Sequence, residues 1–195
     1  MKVLATLGLL LALAVAPSLA HAQGTHFFAE ADIGTSLPLG ATLSDTGYTV
    51  GLTGGFGGKL PGMLFRGYVL GELNYSTFAI ERCGIPDLQR ELVDMAVGGR
   101  VLLPLFESLR IYGDVLLSGI WIDSQEFDAD GNEVWLSDSD PRLAITTAIG
   151  VQFRPFEFFS VGARGDFLFL VDDSDLPEEE IEGRFGIVGT VALHF

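Results

Sequence analysis

Residues 184–195 read Arg184-Phe185-Gly186-Ile187-Val188-Gly189-Thr190-Val191-Ala192-Leu193-His194-Phe195. Phe185, Ile187, Val191, Leu193 and Phe195 share one parity, and Arg184, Thr190 and His194 share the other. In an extended chain successive side chains point to opposite faces, so this stretch reads as a strand with one apolar and one polar face. The same period of two recurs at about 26–33, 47–57, 65–75, 92–103, 109–121, 143–154 and 159–171. Eight strands are therefore predicted, each near the ~9–11 residues that a tilted membrane-spanning strand needs.

Within these stretches the charges keep to one parity. They are Glu30, Asp32, Glu72, Asp94, Asp114 and Asp166, against Arg66, Arg100, Arg110, Arg154, Arg164 and Arg184. Short Pro-containing turns (59–63, 104–108, 155–158), the last two also with Phe, alternate with long connections (34–46, 76–91, 122–142, 172–183), which is the signature of a hairpin repeat. The alternation gives no boundary for a second folded domain.

Composition narrows the class. The 195 residues are 48% hydrophobic, include 25 Gly, and carry a formal net charge of −15. The mean hydropathy is +0.39, so apolar content and charge are segregated along the chain. A disordered acidic protein would lack the apolar residues. A nucleic-acid binder would need a basic face, and there are only 11 Lys and Arg in all.

The first 22 residues read as an address. Lys2, the apolar run to Val15 and the small residues Ala20 and Ala22 predict a cleaved signal peptide, leaving residues 23–195 as one barrel domain. Without Lys2 the mature chain keeps ten basic and 26 acidic residues, a net −16. Cys83 is the one cysteine, so no internal disulfide forms.

Two arrangements fit a sheet with one apolar and one charged face. A soluble barrel or sandwich buries the apolar face, whereas a membrane barrel turns it toward lipid and fills its lumen with polar groups. Three features favour the membrane barrel. Gly, Ala and Thr are frequent opposite the large apolar face, where a narrow lumen needs room. Aromatics gather at strand ends: Phe27, Phe65, Phe106, Phe153, Phe159 and Phe195 toward the short turns, Tyr48, Tyr75, Trp121 and Phe169 toward the long loops. Finally, six acids balance six arginines on the polar parity. Buried charges are tolerated when paired, and Arg suits forked carboxylate pairing. A salt-bridged lumen is expected, with Arg154 and Arg184 solvated near the barrel mouths.

With these strands, turns, loops and a terminal Phe195, the chain resembles the small eight-stranded bacterial outer-membrane β-barrels, the OmpA/OmpX-like class. The resemblance implies an all-β, antiparallel, up-and-down transmembrane barrel with short periplasmic turns and long extracellular loops. It also implies outer-membrane lipid and lipopolysaccharide as surroundings, a monomer, and a final strand read by the barrel-assembly machinery through Val191, Leu193 and Phe195. The Gly usual in that signal is displaced by one position, at Gly189. Closure follows physically, because unpaired strand edges are not tolerated in lipid. With eight strands, side chains largely fill the interior.

Candidate chemistry is sparse. Asp128, Asp130 and Glu133 surround Gly131 with closely spaced oxygen ligands, as a Ca²⁺ loop does, but without the twelve-residue EF-hand spacing. Solvated acidic loops are the plainer reading, and divalent cations bridging them to lipopolysaccharide a further one. No other cofactor is indicated. His26 and His194 are the histidines of the mature chain, both at the short-turn end. A lipid A-modifying hydrolase would need one near the outer leaflet, so no catalytic residue is assigned and the chain reads as a non-enzyme. Trp135 is read as an interfacial residue. A structural or surface-interaction barrel is the leading expectation, and a narrow channel or small-solute conduit the alternative.

Overall fold

The structure is a computed structural model that describes residues 25–40, 46–60, 62–80, 88–127, 133–137, 141–171 and 182–195. Its strands are β1 (Thr25–Leu39), β2 (Gly47–Lys59), β3 (Arg66–Ile80), β4 (Leu88–Pro104), β5 (Leu109–Phe127), β6 (Glu133–Ser137), β7 (Arg142–Phe156), β8 (Phe159–Leu170) and β9 (Gly183–His194). Eight of them form a closed antiparallel ring, β1-β2-β3-β4-β5-β7-β8-β9, sealed by pairing of β1 with β9. The seam runs from Phe28↔His194 to Leu39↔Gly183. Beyond His194 it continues as two backbone hydrogen bonds between Phe27 and Phe195, at 3.2 and 2.9 Å. The ring leaves no strand edge along its wall, as a lipid environment requires.

The strands outrun the alternating cores visible in the sequence. β1 continues to Leu39 and β3 to Ile80, through segments whose Gly, Ser, Thr and Pro content reads as loop. Pairing with β9 and β4 carries both onward, because a ladder already in register supplies partners to residues of poor intrinsic strand propensity.

The ninth strand is a departure from expectation. The connection 122–142 is not one long loop: β5 continues to Phe127 and turns back as β6, from Phe127↔Glu133 to Asp123↔Ser137. The 19 residues of β5 span on the order of 60 Å at ~3.3 Å each. Even tilted by ~45° that exceeds an apolar band of ~25 Å, so the β5–β6 hairpin stands beyond the barrel rim. Trp135 lies on β6 opposite Gln125, four residues past Trp121 along β5. It lies about 13 Å farther along the strand direction than Trp121.

At the other end the turns are tight. Met63 donates to the Leu60 carbonyl at 3.1 Å, and Gly62 takes the positive φ of 74° that this turn demands. Along the wall, Gly98 lets β5 approach closely. A Cβ there would stand 2.1 Å from the Val115 carbonyl oxygen.

The faces are inverted relative to a water-soluble barrel. Ile33, Val97, Val115 and Ile149 are more than 60% exposed, whereas Glu30, Asp94, Arg100, Arg164, Asp166 and Arg184 are at most 2% exposed. The apolar parity faces outward all round the ring, and the charged parity faces the lumen.

Candidate functional site

The lumen is the one place where the described residues concentrate chemistry, and it is built in layers. Arg100 on β4 forms a first group with carboxylates from two other strands. Its Nε donates to Asp114 Oδ1 at 2.8 Å, and its Nη2 reaches Glu30 Oε1 at 3.0 Å across the lumen. The guanidinium plane is held between rings, 3.9 Å from the centroid of Tyr112 and 5.0 Å from that of Phe28. Such stacking suits Arg, whose planar, weakly hydrated head both forks and stacks.

A second group is continuous. Arg164 on β8 meets Glu72 in a two-pronged contact at 2.8 and 3.0 Å, and lies 3.7 Å from Asp32 and 3.8 Å from Asp166. Asp166 also accepts from Arg184 Nη2 at 2.8 Å, and Arg184 lies 3.7 Å from Asp94. Asn74 joins the two halves by donating to both Glu72 and Asp94. Arg184 Nη1 ends on Ser76 and Thr49, at 2.6 and 3.2 Å.

Of the twelve charges on the polar parity, nine meet here: all six acids, with Arg100, Arg164 and Arg184. The interior is thus not a cancellation of six by six. Arg66, Arg110 and Arg154 are half-buried at the short-turn mouth, and no described carboxylate pairs with them. Arg184 is also not a solvated mouth residue. It is 1% exposed, because β1 and β3 extend past it and enclose it.

Apolar groups also fill the lumen face, in two clusters. Toward the short turns Phe28, Tyr68, Leu70, Leu102, Tyr112 and Leu116 form one buried cluster. Toward the long loops Phe78, Leu92, Ile120, Ala144 and Leu168 form another. Sequence reasoning missed these two plugs, since it treated the inward parity as polar throughout. Small residues make the space: a Cβ on Gly150 would lie 2.3 Å from the Tyr112 ring, and one on Gly51 2.0 Å from Asn74 Oδ1.

His194 lies at the rim beside the seam, where its Nε2 and Ser160 Oγ are 2.8 Å apart. The largest charge effects on it come from Arg154, Arg110, Arg100 and His26, none of them a carboxylate. His26 lies two residues before Phe28, the strand partner of His194, and so beyond the end of β9. Of the candidate cation ligands, Asp128 and Asp130 lie outside the described residues, as does Cys83, and Glu133 begins β6. Among the described residues no group of three or more His, Cys, Asp or Glu is placed to hold a metal ion.

No protein-family model matches the chain, and no curated protein sequence does. Solved structures do. Neisserial surface protein A matches with a TM-score of 0.57 at 13% identity, covering 89% of this chain and 98% of its own. Ail, the attachment invasion locus protein of Yersinia pestis, in complex with the heparin analogue sucrose octasulfate, matches with a TM-score of 0.54 at 14% identity, covering 88% and 99%. This chain thus has the fold of the small eight-stranded outer-membrane β-barrels.

Proposed function

We propose that this protein is a non-enzymatic barrel of the bacterial outer membrane whose role is structural or one of surface interaction, carried by its acidic external loops and the β5–β6 hairpin. The observation that carries the reading is the filled lumen under an outward apolar face. Two hydrophobic clusters and a charged network fill the lumen, leaving lipid contact outside and the two mouths as the surfaces on which the protein can act. Residues 1–22 act as a cleaved export signal, and Val191, Leu193 and the outward-facing Phe195 present the last strand to the assembly machinery. The folded barrel is a monomer.

A narrow conduit would require both clusters to part. Purified protein in a planar bilayer is therefore expected to show no discrete, reproducible openings. Such openings would overturn the plugged lumen.

The loops set the kind of partner. Residues 123–140 hold seven acids and residues 172–182 another seven, so the external face repels polyanions unless divalent cations intervene. That sign is opposite to what a sulfated sugar such as the one bound to Ail calls for, and it favours cationic partners or Ca²⁺ and Mg²⁺ bridges to lipopolysaccharide. Titrating the refolded protein with Ca²⁺ is expected to give weak, salt-sensitive binding spread over the loops. A single tight site, lost on replacing Asp128 and Asp130 with Asn, would replace this picture with a dedicated calcium loop.

A further inference from the structure

The three arginines left out of the central network share one place. Arg66 on β3, Arg110 on β5 and Arg154 on β7 occupy the inward parity at the short-turn mouth, and their charges act on one another. Lys59 stands directly across from Arg66 in the β2–β3 ladder, and like charges so placed are destabilising. Both ring-nitrogen residues of this rim, His26 and His194, border the same mouth, and His26 feels all three arginines.

Relief from inside is blocked. The nearest lumen acids, Glu30 and Asp114, are both engaged by Arg100, behind the rings of Phe28 and Tyr112. From outside, the turns offer Glu107 and Glu157; neither pairs with an arginine among the described residues, although Glu157 acts on Arg154 through space. Arg154 instead donates to the Phe156 carbonyl at 3.3 Å. Several permanently charged, fork-shaped donors converging on one opening, with no carboxylate paired to them among the described residues, are the chemistry of a phosphate receptor.

We propose that the short-turn mouth of the barrel is an anion-binding site for a phosphate group, held by Arg66, Arg110 and Arg154 with Lys59 at its edge. The group belongs either to a lipid headgroup folded in at the rim or to a soluble phosphate. The site lies at the opposite end from the acidic loops, so the molecule is electrically two-ended.

The test uses the mature chain refolded into nanodiscs of zwitterionic lipid, titrated with inorganic pyrophosphate by calorimetry at low salt. Saturable binding is expected, weakened at least about tenfold in Arg110→Gln and in the double variant Arg66→Gln/Arg154→Gln, since one charge-assisted hydrogen bond contributes roughly that much. Folding of each variant is checked by heat-modifiable gel mobility. Should a variant fail to fold, the wild type still decides: pyrophosphate must raise its unfolding midpoint where chloride of equal ionic strength does not. Repeating the titration in nanodiscs containing anionic phospholipid separates the sources. Competition by the lipid assigns the site to headgroups, and undiminished binding assigns it to a soluble phosphate. Absence of saturable binding, or equal affinity in the arginine variants, overturns the proposal.

Discussion

Arg100→Ala is expected to lower the unfolding free energy of the barrel by about 3–5 kcal/mol, the cost of breaking a buried ion pair from one side. The substitution strands two carboxylates at once, since Glu30 and Asp114 both depend on the same guanidinium. It also removes the plate stacked 3.9 Å from the centroid of Tyr112. Arg100→Lys restores the charge but not the fork or the plane, so it should recover only part of the loss. Denaturant unfolding in detergent or vesicles, followed by tryptophan emission or gel mobility, measures all three proteins. If Arg100→Ala stayed within 1 kcal/mol of wild type, the buried network would have no energetic standing.

The second large effect is expected outside the barrel. Ile149 is the middle residue of β7 and is 71% exposed. On a soluble protein, a substitution at so exposed a site shifts stability by about 0.5 kcal/mol or less. Facing the middle of a bilayer, Ile149→Arg should cost about 2–4 kcal/mol, while the same change at Phe156, near the rim, should cost about 0–1 kcal/mol. Unfolding from lipid vesicles reads the difference directly. Equal, negligible effects at both positions would mean that the apolar face does not meet lipid.

The fold was legible because a membrane barrel writes its two solvents into alternate residues. Leu193 and Phe195 against His194, or Val97 and Val101 against Arg100, are enough to orient a strand without knowing its neighbours. What parity cannot convey is height. Phe28, Leu70, Leu92, Leu116, Ile120 and Leu168 all sit on the polar parity, and only the register gathers them into two clusters, one around the Arg100 group and one toward the long loops. Height also separates Arg184 from Arg154, which the sequence sets alike near the barrel mouths. Strand β6 was hidden for another reason. Asp130-Gly131-Asn132 has the residue types of a tight hairpin turn as well as those of a cation loop, and composition alone does not choose between the two.

The reach of the lumen bonds along the chain also bears on time. Arg100 to Glu30 spans 70 positions of sequence, Arg164 to Glu72 spans 92, and Arg184 to Thr49 spans 135. Such links need the sheet to have curled across its own lumen, and the one from Arg184, on the last strand, needs the first and last strands to have met. They belong to the last moments of folding, after most of the wall is in place. Interactions missing from the transition state leave the folding rate almost untouched and act on the way out instead. The central network is therefore a latch: the lifetime of the barrel in its membrane should depend on it far more than the speed of assembly does.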